Sequence, residues 1–263
     1  MNASRIKGII IQSLYNLKHS YEDIVDTFFW PIMDVIIWGF MTTFLATAQG
    51  NAAKVVSFLM GGLILWNIVW RAQQDIALAL LRNVWNRNIL NLFSSPLTPW
   101  EFVTATMILG FIKIIFTLVI VSFAAFVLYS FNLFSLGFSL IPFFISLIAF
   151  AWAVGIFITG LIIRYGMRIQ SLAWSFIAIL QPVSAVFYPL SILPPFLRKI
   201  AWFLPTTHIF EGMRQILSGG QLSKEHLLWA FGLNIIYLIL SAWFFIFMFE
   251  KSREKGKLAE IET

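Results

Sequence analysis

The sequence has no cysteine and very little charge. Only 11% of its 263 residues are Asp, Glu, Lys or Arg, against about 25% in a soluble domain. The missing cysteine excludes disulfides, thiolate metal sites and a cysteine nucleophile, and leaves the redox compartment unreadable. No G-x-x-x-x-G-K-[ST] phosphate loop occurs, and the one Gly-Lys pair, Gly256-Lys257, is followed by leucine. The chain therefore lacks the backbone cradle that holds a nucleotide. H-E-x-x-H and G-x-S-x-G are absent as well, and His19, His208 and His226 stand far apart along the sequence. That spacing argues against a zinc site, and no marker of serine hydrolase chemistry remains. Inverted repeats, the mark of an ion-driven secondary transporter, are not visible. Nor is there the cluster of polar groups at one interface that an integral lipid-modifying enzyme needs.

What is present is apolar. Hydrophobic residues make up 60% of the chain and aromatics 17%, with a mean hydropathy of +0.86. A bilayer core about 30 Å thick needs about 20 apolar residues per helix. The expected fold is an all-α integral membrane protein with six transmembrane helices, forming one transmembrane domain over 1–263. The net charge of +6 does not imply nucleic acid, because the basic residues gather at the ends of the apolar runs. The first twenty residues have neither a long apolar core nor a small-residue cleavage site, so the N-terminus is expected to be retained.

Residues 4–20 place Ile6, Ile10, Leu14 and Leu17 on one helical face opposite Arg5, Gln12 and Asn16, the pattern of an interfacial helix. Span one is expected over 26–47. Span two follows from Val55 and ends near Arg71, with a helical continuation too polar for lipid, in which Arg71 and Asp75 are spaced to pair at i, i+4. Spans three and four form a hairpin over about 103–163, since no charged residue lies between Lys113 and Arg164. Span five is expected over 169–190 and span six over 227–249, before a charged cytoplasmic tail at 250–263. Lysine and arginine concentrate on the side that holds both termini, at Arg5, Lys7, Lys18, Arg82, Arg87, Arg164, Arg168 and the tail. That side is expected to be cytoplasmic, in the cytoplasmic (inner) membrane.

Two segments interrupt the apolar pattern. RNILNLFSSPLTPWEF leaves Ile89, Leu90, Leu92 and Phe93 in a loop where water is expected, which reads as an ordinary loop, an interfacial dip or a docking surface. Residues 193–220 read as two short helices, the second capped by Thr206 or Thr207 and stopped at Gly219-Gly220. Asp34 and Lys113 are the charges expected inside spans, at similar depth, where they can pair; Gln181 beside Pro182 is expected to notch span five.

RNILNLFSSPLTPWEFV resembles the segment between spans two and three of the type 2 ABC transporter permeases, through Arg87, Leu90, Leu92, Ser95, Pro96, Leu97 and Glu101. The run from Pro182 to Gly220 is similar to that family's region after span five, through Pro182, Pro189, Pro194, Pro205, Thr207, Glu211, Arg214 and Gly220. Asn88 and Ala185 depart from it, where glycine is common. The resemblance implies the membrane subunit of an exporter for a lipid-linked, polysaccharide or hydrophobic drug-like substrate. Two such chains, identical or paralogous, would each sit on a separate ATPase subunit that binds ATP and Mg, while this chain holds no cofactor. Residues 86–98 would be the coupling helix, and 193–220 would be re-entrant helices gating the outer leaflet.

Overall fold

The computed structural model describes residues 1–49 and 52–254. They are helical throughout, with no strand among them. Lipid offers no partner for backbone N–H and C=O groups, so a chain this apolar satisfies them within helices. In order these are α1 (Ala3–His19), α2 (Tyr21–Ile24), a π-helical turn (Val25–Phe29), α3 (Trp30–Gln49), α4 (Ala52–Trp85), α5 (Ile89–Ser94) and α6 (Pro99–Tyr129). There follow α7 (Leu140–Tyr165), α8 (Leu172–Val183), α9 (Pro195–Trp202), α10 (Pro205–Leu217) and α11 (Lys224–Glu254), with short 3-10 turns before α7, α8 and α9.

Five helical stretches among the described residues are long and apolar enough to cross a membrane. The core is built on two of them: 61% of the most apolar stretch is buried in both α4 and the α7 segment, against 22% to 28% in the other three. The remaining three therefore turn wide apolar faces outward, with Phe40, Phe116, Phe123 and Trp243 exposed. Such faces suit lipid or another membrane chain.

The expected fifth span is shorter than its apolar run. Helix α8 has 12 residues, or about 18 Å, well under a bilayer core of about 30 Å. Pro182 cannot donate a backbone hydrogen bond, and Ala185 turns left-handed with φ 52° just beyond the helix. Composition through Leu190 stays apolar, so hydropathy alone extends the span past this break.

Helix α4 continues through the expected polar extension: its 34 residues form one helix, and the RAQQD stretch is buried or half-buried among neighbouring helices. Gln73 donates to the Ala173 carbonyl at 3.1 Å, and the charges find cross-helix partners described below. Packing against neighbouring helices satisfies this polar run.

Candidate functional site

The first candidate is the turn between α4 and α6. α4 stops in a left-handed residue, Arg87 (φ 51°), while the Asn88 N–H returns to the Asn83 carbonyl at 2.8 Å, the closure that a glycine usually makes. The short α5 follows, and α6 opens with Thr98 at the cap, Pro99 next and Glu101 closing a capping box. Glu101 does more than cap. Its Oε1 accepts the Asn2 N–H at 2.6 Å and its Oε2 the Thr98 N–H at 2.9 Å. Arg5 lies 3.6 Å from Oε2 and donates to the Pro96 carbonyl. The N-terminal helix is thus tied to this turn by a knot that joins α1, Pro96 and α6.

The apolar residues of the turn do not all point outward. Ile89 is 1% exposed, and Leu92 and Leu97 pack on the core. The expected docking role of Ile89 is therefore corrected: it anchors α5 to the bundle, with the covered part of the half-buried Leu92 beside it, because a six-residue helix is held only by tertiary contacts. The side chains of Leu90 and Phe93 lie outside the described residues. Arg87, Asn91, Ser94, Ser95 and Pro96 form the exposed face.

The charges at membrane depth pair differently from expectation. Lys113 Nζ meets Asp75 Oδ1 at 2.9 Å, not Asp34, and Arg71 meets Asp26 Oδ2 at 3.0 Å, not Asp75. Gly110 permits the first pair, since a Cβ there would stand 3.0 Å from the Asp75 Cβ. The Thr27 carbonyl, in the π-helical turn, accepts the Thr117 hydroxyl at 3.4 Å. Asp34 is half-buried. Depth counted along single helices pointed to Asp34, but the partner comes from the polar part of α4. Reversing either charge, Asp75→Lys or Lys113→Asp, is expected to lower the yield of folded protein severely, and the double reversal to restore most of it. Size-exclusion profiles in detergent read this, and a double variant as poor as the singles would remove the pairing.

The second candidate surrounds α9 and α10. Arg214, buried on α10, donates from Nη2 to the Ala185 carbonyl at 2.8 Å and to Glu211 Oε1 at 3.0 Å, and from Nη1 to the Val186 carbonyl at 3.3 Å. Glu211 Oε1 also accepts the Leu190 N–H at 2.6 Å. One ion pair therefore satisfies the backbone groups released where α8 ends. Pro189 and Pro194 are extended (ψ 150° and 149°) and flank the short 3-10 turn Leu190–Ile192, and Gln181 lies half-buried one turn before the break. Pro205 itself starts α10, with Leu204 at the cap position. The expected threonine cap is corrected, for Thr206 donates to Ser184 Oγ at 2.9 Å and the buried Thr207 hydroxyl has no partner among the described residues. Gly219, at φ 84°, ends the helix and lets the Gly220 N–H reach the Gln215 carbonyl at 2.9 Å.

His208 and His226, far apart in sequence, come together with their Nδ1 atoms 3.3 Å apart. His208 Nε2 faces the Trp202 carbonyl at 2.9 Å. A carbonyl only accepts, so Nε2 carries the proton and His226 is the donor at Nδ1. Burial lowers the His208 pKa and favours this neutral form. No cluster of three or more potential metal ligands occurs among the described residues.

Residues 15–218 match the family model of the ABC-2 type transporter, a stretch that contains both candidate segments. The chain belongs to this family. No curated protein matches it. As an ABC-2 permease the chain is a membrane transport component, and the family implies an ATPase partner.

Several residues that shape this permease carried no distinct sequence signal. Gly62 is one: a Cβ on it would lie 2.6 Å from the Val186 carbonyl, while one on Gly61 would meet only side chains, the Met213 sulfur at 3.0 Å and Leu217 and Phe131 at 3.5 and 3.6 Å. The Gly61-Gly62 pair in the middle of an apolar span was the available hint, since small residues let helices and backbone approach. Gly62→Ala is expected to cost about 1–3 kcal/mol by overpacking, and Gly61→Ala clearly less. Thermal aggregation midpoints in detergent compare the two, and equal midpoints would contradict the close approach. Asn2 and Ser184 were also missed, because their partners lie 99 and 22 residues away.

Proposed function

We propose that this chain is the permease half of an ATP-driven exporter that moves a lipid-linked, polysaccharide or hydrophobic drug-like substrate outward by alternating access. Two copies, or this chain and a paralogous permease, would face each other in the cytoplasmic membrane, each on an ATPase subunit that binds ATP and Mg. In this reading the chain passes the membrane six times with both termini cytoplasmic. The short α8 and the extended segment after it complete the fifth pass, and α9 and α10 are re-entrant elements of the outer gate.

The observation that carries the reading is the knot at Glu101. A partner pressing on the exposed Asn91–Pro96 face would move α5 as a unit, because Ile89 holds it to the core. The same push would reach α6 through the capping box and α1 through Asn2 and Arg5. A stiff element with three outlets can bias packed helices between two arrangements. At the other end, the Glu211–Arg214 pair fixes the segment after α8 against α10, so gate and fifth pass would shift together. Exposed backbone at that depth is tolerable only where protein or a water cavity covers it.

Testing requires the whole complex. The chain is co-expressed with the P-loop ATPase subunit that co-purifies with it and reconstituted in liposomes. Nucleotide turnover and substrate movement are expected to depend on both proteins. Transport by the chain alone, or a turn at 86–98 labelled only from outside the cell, would end the reading.

A further inference from the structure

Helices α7 and α11 run parallel and in contact, and on each of them a residue recurs at every seventh position along the line where they meet. Phe150, Phe157 and Arg164 on α7 stand opposite Tyr237, Phe244 and Lys251 on α11. Seven residues make nearly two turns, so each trio shares a helix face. The Phe150 and Tyr237 ring centroids are 6.0 Å apart, those of Phe157 and Phe244 are 4.7 Å apart, and Arg164 Nη1 donates to the Lys251 carbonyl at 3.2 Å. The seam therefore has two aromatic rungs and a cationic end.

Beside the aromatic rungs lies a cavity of about 420 Å³, closed on its third side by Phe176 and Leu180 of α8 and within the roughly 300–1,000 Å³ usual for ligand sites. Leu240 and Trp243 at its rim are 53% and 64% exposed, so it opens sideways onto the outward apolar face of α11. The two hydroxyls in its wall are spent, Tyr237 donating to the Phe203 carbonyl at 3.0 Å and Ser241 to the Leu238 carbonyl at 3.1 Å. A polar guest would bury its own groups without partners, whereas hydrocarbon gains by contact alone.

The cationic end keeps its capacity. Lys251 sets its ammonium 5.2 Å from the centre of the Phe247 ring, and Trp243 stacks on that ring at 5.9 Å, so aromatic surface continues from the cavity mouth to the charge. Among the described residues Lys251 makes no ion pair, and Arg164 spends one of its five donors. From Arg164 back to Phe157 is about 10 Å of helix and to Phe150 about 21 Å. These lengths bracket the roughly 15 Å of hydrocarbon in one leaflet, half a bilayer core.

We propose that this groove binds a resident anionic phospholipid, its phosphate on Lys251 and Arg164 and one acyl chain laid along the Phe247–Trp243 stack into the cavity. The head then lies at the helix ends and the chain points to the bilayer centre, as in the surrounding leaflet. Two cations at one end attract net negative charge and repel the ammonium of a zwitterion. Leu204, the cap residue of α10, also lines the cavity, so the chain abuts the start of that helix. Cargo and direction of transport do not enter; the topology proposed above decides only that the inner leaflet supplies the lipid.

The test places the complete transporter complex, without nucleotide, in phosphatidylcholine nanodiscs doped with phosphatidylglycerol or phosphatidylcholine carrying the same photoreactive chain. Adducts within 150–157 and 237–244 are expected roughly tenfold more often with phosphatidylglycerol, the selectivity that two basic residues near an anionic head give. The exposed α6 face at 116–123 is expected to label equally with both. Lys251→Gln is expected to lower the ratio to about threefold, and Lys251→Gln with Arg164→Gln to bring it near one. Ala153→Leu, which extends a wall residue into the cavity, is expected to cut groove labelling severalfold and leave α6 labelling unchanged, with the size-exclusion profile as the check on folding. A wild-type ratio of one, or a ratio unchanged in Lys251→Gln, overturns the headgroup site. Groove labelling no heavier than that of α6 overturns the cavity. Loss of the bound lipid on ATP turnover marks a transported lipid and overturns a resident one.

Discussion

Arg214→Met is expected to abolish transport and to cost on the order of 3–5 kcal/mol of stability, the usual consequence of removing one partner from a buried ion pair. The Ala185 and Val186 carbonyls lose their side-chain donor at once, and Glu211 keeps only the Leu190 N–H. The two carbonyls are released because α8 ends at Val183 and Ala185 turns left-handed. Among the described residues no other side chain donates a hydrogen bond to them. Arg214→Lys is expected to rescue poorly, since one ammonium cannot span acceptors on both sides as the planar guanidinium does. Glu211→Gln keeps an acceptor for the Leu190 N–H and is expected to lose less. Unfolding in detergent and flux in liposomes, measured on all three variants, give the order. Wild-type flux in Arg214→Met would show that the pair is ornamental to the gate.

The second large effect belongs to α5, where two kinds of substitution are expected to separate. Ser95→Glu or Asn91→Glu alters only the exposed face and is expected to release the ATPase subunit, with the membrane domain folded and its detergent profile unchanged. Leu92→Ala loosens the anchor instead. There the ATPase is expected to stay bound and to hydrolyse ATP while transport falls roughly tenfold or more, as a 1–3 kcal/mol loss of packing at the lever would give. Pull-down, nucleotide turnover and flux distinguish the classes. Loss of ATPase binding in Leu92→Ala with retention in Ser95→Glu would invert the assignment of faces.

Much of the architecture was legible in the sequence. The long helices, the punctuated segments at 86–98 and 193–220, and the glycine stop at Gly219-Gly220 all follow from local rules. Hydropathy sums along the chain, a capping box needs only four residues, and a left-handed stop favours glycine wherever it occurs. The misreadings share a different cause. Lys113 was set against Asp34 because both were counted along isolated helices, yet its partner Asp75 lies in a stretch that looked too polar for lipid. Ile89 and Leu92 looked exposed because their neighbours in sequence are polar, while their neighbours in space are the core. His208 and His226 looked unrelated across 17 intervening residues.

The sequence by itself determined that this chain is a helical membrane permease, and which stretches interrupt its spans. It did so because transfer of apolar surface from water and satisfaction of the backbone act on consecutive residues. Only the tertiary structure decided which charge meets which, that Glu101 ties the N-terminal helix to the turn before α6, and that Arg214 holds the carbonyls just beyond α8. Those outcomes depend on how each helix is rotated and seated against the others. Rotation and seating are set by packing between segments up to about a hundred residues apart, such as Asn2 and Glu101, and no sum over neighbours in the chain contains them.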